Sequence, residues 1–104
     1  MTNDRELLEL AAKAAGLSHP DGWEWIVNDE GFQWNPLEND GDALRLAVKL
    51  GIQVTPGTYK EHEATAYRAG LAEAHERVGY QQDIYAATRR AIVRAAAEIG
   101  RSVK

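Results

Sequence analysis

The sequence predicts an α+β domain in which three helices pack against a small antiparallel sheet of about three strands, with a short hairpin near the N-terminus. Three observations carry this. Helical periodicity with caps and stops brackets both ends of the chain. Between residues 52 and 79 the pattern turns extended, with Pro56-Gly57 and Gly70 as breakers. The length of 104 residues suits one domain, 1–104, with one modest core.

The first helix is expected over about residues 4 to 15. Asn3 followed by Glu6 is a variant of the capping box, in which the Asn3 side chain accepts from an orphan amide. Leu7, Leu10, Ala11 and Ala14 recur at helical spacing, and Gly16-Leu17 supplies a left-handed stop with a returning apolar contact. "SHPDG" is turn chemistry. After it, "WEWIV" places Trp23, Trp25 and Val27 on one side of an extended strand, "NDEG" turns, and "FQW" returns. Trp34-Asn35-Pro36 ends that hairpin, because the residue before proline is pushed away from helical angles.

A second helix is predicted from about Gly41 to Leu50, capped by Asp40 or Asn39 and stopped by Gly51-Ile52. Its polar residues reduce to a narrow stripe of Asp42, Arg45 and Lys49, which predicts a largely buried helix. Residues 58 to 78 fit two templates. Leu71, Ala74, His75 and Val78 suit a helix. The extended reading puts Tyr59, Thr65, Tyr67, Ala69 and Leu71 on one face, with Gly70 as a hairpin turn, and is preferred because Gly70 weakens a continuous helix. The last helix, "DIYAATRRAIVRAAAEIG", has Asp83 as cap, Gly100 as stop and a polar stripe of Arg90, Arg94, Glu98 and Arg101. Its alanines permit close approach to a sheet or a second helix, so self-association through this helix stays open.

Composition excludes several function classes. The chain is 44% hydrophobic and 27% charged, as ordinary soluble domains are. It has no cysteine, hence no disulfide, thiolate metal site or thiol nucleophile. The polar opening "MTNDRE" is not a signal peptide, and no apolar run reaches the roughly 20 residues that span a bilayer. A cytoplasmic location is therefore expected.

The motifs that suggest chemistry fail on spacing. "ENDGD" resembles a calcium loop, but with Gly41 or Gly31 at the loop's glycine position the first ligand becomes Pro36 or Ile26. A helix cap explains it better. "HEATA" lacks the second histidine of the zinc-protease helix, and His62 with His75 lacks a third ligand. Glu61 and Glu63 read as a solvated strand face. No serine elbow, P-loop or dinucleotide fingerprint is present, so no catalytic residue, metal or cofactor is assigned.

Charge and aromatic placement are more informative. The net charge is −4. Residues 21 to 42 hold seven acids and no Lys or Arg, whereas 83 to 104 are net basic. All three tryptophans and the single phenylalanine lie between residues 23 and 34. Tryptophan anchors many interfaces, and it also closes small cores. Trp23, Trp25, Asp29, Glu30 and Trp34 are thus candidates for binding a basic partner protein. The alternative is nucleic-acid binding through Arg89, Arg90 and Arg94, since helix, three strands, helix is also the order of double-stranded-RNA-binding domains. The acidic overall balance disfavours it.

Two blocks carry a resemblance. "WNPLENDGDALRLAVKLGI" and "YAATRRAIVRAAAEIG" resemble segments of small proteins encoded by temperate phages and prophages, similar to the phage ABA-sandwich family. That resemblance implies helices flanking a small antiparallel sheet and strands in the middle segment. It also implies an accessory phage protein acting in the bacterial host cytoplasm, and it transfers no catalytic residue.

Overall fold

The computed structural model describes residues 3–57, 63–77 and 83–102. Its elements run α1 (Asp4–Ala14), a 3₁₀ turn (Trp23–Trp25), α2 (Asp40–Leu50), β1 (Gln53–Thr55), β2 (Glu63–Arg68), β3 (Ala72–Arg77) and α3 (Ile84–Ser102). The three strands form one antiparallel sheet in the order β1-β2-β3. The expected α+β architecture, with strands rather than helix after residue 52, is therefore present. Tyr59, Glu61 and His62 lie outside the described residues.

Local chemistry sets the ends. Asn3 Oδ1 accepts the Glu6 amide at 2.8 Å, Asn39 caps α2 by accepting from Asp42 at 2.9 Å, and Asp83 accepts the Tyr85 amide at 2.8 Å. Gly51 stops α2 at φ 67°, with the Ile52 amide returning to the Ala47 carbonyl. A Cβ at Gly51 would also strike Arg68, whose Nη1 donates to the Leu50 and Gly51 carbonyls at the helix end. In the β2–β3 hairpin Gly70 takes φ 76°, and the Leu71 amide bonds to the Arg68 carbonyl.

Helix α3 is the hub. It packs against α1, α2 and the sheet, and six of its residues between Ala91 and Ala97 are buried. The sheet meets it with Ala64, Ala66 and Ala74, small enough to bring helix and strands close. Because Ala91, Ala95, Ala96 and Ala97 are all buried in this core, the alanine face is not a surface for self-association. The opposite face of the sheet, carrying Glu63, Thr65, Tyr67, Glu73, His75 and Arg77, has no buried residue.

Three expectations are corrected. Gly100 does not end α3, which continues to Ser102. Gly100 is instead where α3 crosses α1, since a Cβ there would lie 2.0 Å from the Leu10 carbonyl oxygen. The face of α2 is also different. Asp42, assigned to the polar stripe, is fully buried beside Ala43, Leu46 and Ala47, while Leu44 and Val48 are 64% and 73% exposed.

The third correction concerns "WEWIV", which opens with a 3₁₀ turn rather than a strand. A period of three puts Trp23 and Ile26 on one side, toward the core, and leaves Trp25 outside. What remains of the hairpin is one bridge, Val27 to Gln33. The Ile26 carbonyl accepts from Trp34 and the Phe32 carbonyl from Asn28.

Candidate functional site: the acidic hairpin

Residues 26 to 34 fold back on themselves and are held from below by one carboxylate. The Asn28 side chain organises the turn, its Oδ1 accepting the amides of Glu30 and Phe32, each at 3.0 Å. Its Nδ2 donates to Asp42 Oδ2 at 3.3 Å. The same oxygen accepts the Asn35 amide at 2.9 Å, and Oδ1 accepts from Arg45 Nη2 at 2.9 Å. Asp42 therefore ties the start of α2 to both ends of the hairpin. A buried carboxylate is tolerated only when satisfied in this way.

This anchor decides which aromatic and acidic groups reach solvent. Ile26 and Trp34 point inward, Trp34 being 5% exposed, and both belong to the core. Trp23 is half-buried, with its Nε1 enclosed and without a hydrogen-bond partner among the described residues. Trp25 is 61% exposed and stacks on His19 with ring centroids 6.3 Å apart. Val27 and Phe32 are exposed as well, at 61% and 67%. The predicted binding set thus divides. Trp25, Asp29 and Glu30 are each exposed, whereas Trp34 is a core residue and Trp23 largely one. Val27 and Phe32 join the surface, and neither was singled out from sequence, although Phe32 follows directly on the predicted turn.

The electrostatics also differ from the linear reading. Arg45 stands among the acids, 3.8 Å from Asp29 and 3.6 Å from Glu30, besides its bond to Asp42. Arg5 approaches Glu24 at 3.5 Å. The hairpin remains acidic, but it is edged by two arginines brought from other elements.

The arginines of α3 are likewise engaged inside the molecule. Arg89 is mostly buried, donating to the Leu37 carbonyl at 2.8 Å and pairing with Asp40 at 2.6 Å. Arg90 pairs with Asp4 at 2.8 Å and approaches Glu76 at 3.4 Å. Arg94 bonds the His75 carbonyl at 2.9 Å and pairs with Glu76. Arg90 and Arg94 share one groove with Glu76, but no unpaired cluster of the three faces solvent.

On the open face of the sheet His75 sits between two carboxylates, with Nδ1 3.0 Å from Glu63 and Nε2 3.1 Å from Glu73. The bond to Glu63, then that to Glu73, raises its pKa above the ordinary imidazole value. The two acids engage opposite ring nitrogens, so they do not converge on one point. Among the described residues no cluster of three or more His, Asp or Glu is placed to hold a metal ion.

Comparison with protein families, characterised proteins and solved structures returns no match. No described helix is long and apolar enough to cross a membrane.

Proposed function

We propose that the chain is a non-enzymatic protein-binding module whose contact surface is the acidic hairpin, and that its partner presents a basic face. One observation supports this above others: Trp25, Val27 and Phe32 are all more than half exposed on a segment that also displays Asp29 and Glu30. Large apolar groups flanked by one sign of charge are how interfaces combine anchoring with steering. Rigid support from Asn28 and Asp42 reduces the ordering cost of binding. The resemblance to phage and prophage proteins adds a setting, an accessory protein working on a host or phage protein in the bacterial cytoplasm.

The nucleic-acid reading is weakened by the positions of Arg89, Arg90 and Arg94, because each is paired with an acid of the same chain, which offsets the positive charge it offers to phosphate. The test is a pull-down from the bacterial host, comparing the native chain with Trp25→Ala and Asp29→Lys. Both variants should keep the native circular dichroism spectrum, since both sites are exposed, and both should lose most of the captured partner. Equal capture by all three proteins would remove this surface from consideration.

A further inference from the structure

Beyond that hairpin, the sheet offers a second surface, built from other residues. In the described sheet β3 pairs with β2 alone, so one edge of a six-residue strand carries backbone donors and acceptors with no strand beside them. Such an edge is a template for another chain. At the other end of the sheet β1 offers only three residues.

The side chains of β3 specify what that other chain is. Glu73, His75 and Arg77 share the open face, while Ala74 and Glu76 point toward α3. Strands that pair must oppose residues of the same face. If β3 of a second copy lies antiparallel with His75 opposite His75, Glu73 of each chain stands opposite Arg77 of the other. Two opposite-charge pairs then flank the twofold axis. Parallel in-register pairing would instead oppose Glu73 to Glu73 and Arg77 to Arg77. Arg77 is exposed and makes no ion pair within the described residues, so its charge is available. On the inner face Glu76 would stand opposite Ala74, whose size leaves Glu76 undisturbed in its pairing with Arg90 and Arg94.

We propose that two copies of the chain associate through β3, antiparallel about a twofold axis, joining their sheets into one. The pairing is isologous and therefore closes at a dimer. It is also weak, because Arg94 already occupies the His75 carbonyl and must yield it, and because a strand edge buries little area.

Sedimentation velocity over about two decades of protein concentration tests this, with the dimer growing by mass action. The native chain should pass from monomer toward dimer. Arg77→Glu should raise the dissociation constant about tenfold, since both cross-strand pairs become repulsive. The charge swap Glu73→Arg/Arg77→Glu should restore association. A native chain that stays monomeric throughout, an Arg77→Glu variant that associates equally, or a swap that does not recover would each overturn the proposal. Hydrogen exchange on the unaltered protein gives an independent check. On concentrating, β3 amides should slow while β1 amides do not, and the absence of that difference would also overturn it.

Discussion

Replacing Asp42 with alanine strips three donors at once of their acceptor: the Asn28 amide group, the Asn35 N–H and the Arg45 guanidinium. Asp42 and Asn28 are buried, so water does not replace the lost acceptor there, whereas the Arg45 guanidinium is 43% exposed and keeps Asp29 and Glu30 beside it. Leaving the buried amide donors without an acceptor costs about 2–3 kcal/mol. Urea denaturation of Asp42→Ala should show a loss of that size, and a change below about 1 kcal/mol would mean that the hairpin is not anchored through this carboxylate. His75 gives a second prediction at this scale. A raised folded pKa means that its contribution is complete below the unfolded value of 6.5 and is lost as pH rises through the higher folded value. Nuclear magnetic resonance should therefore report a His75 midpoint above 6.5. The stability difference between the native chain and His75→Gln should shrink from about pH 6 to pH 8. It should be small, because the imidazole and both acids are substantially exposed.

At the scale of elements, α3 offers a test whose sign is informative. Helix propensity alone makes Gly→Ala in a helix interior favourable by about 1 kcal/mol. At Gly100 the added carbon would meet the backbone of Leu10, and forcing extra volume into such a crossing costs about 1–3 kcal/mol. Thermal unfolding of Gly100→Ala should show net destabilisation, whereas a stabilised variant would contradict the close crossing. The same residue shows why parts of the fold were legible and others not. Caps and stops are local chemistry, so Asn3, Asp83, Gly16, Gly51 and Gly70 could be read directly. Whether a glycine ends a helix or admits a neighbour depends on what lies across from it. The face of α2 posed the same difficulty. Apolar residues ring that helix, and the buried side was chosen by Asn28 and the Asn35 amide, which lie 14 and 7 residues before Asp42. Trp25 and Val27 separated from Trp23 because a turn of period three replaced a strand of period two.

Across the whole molecule, the uneven charge along the chain is resolved by folding it onto itself. Asp40 of the acidic segment meets Arg89, and Asp4 near the start meets Arg90. The acidic reading of the hairpin survived, since Asp29 and Glu30 are exposed. What sequence order concealed was the arrival of Arg45 and Arg5 beside them. Partner binding at the hairpin and self-association at β3 use separate residues, so substitutions in one should leave the other intact.

The position of α3 has a consequence for how the protein comes into being. α1, α2 and the sheet each rest on it, yet among the described elements it follows all of them in the chain. While the ribosome is still making residues 83 to 102, α1, α2 and the strands lack the helix on which they all rest, with connecting-segment residues such as Ile26, Trp34 and Ile52 to cover them. The core is thus completed late, when α3 joins pieces that precede it in the chain.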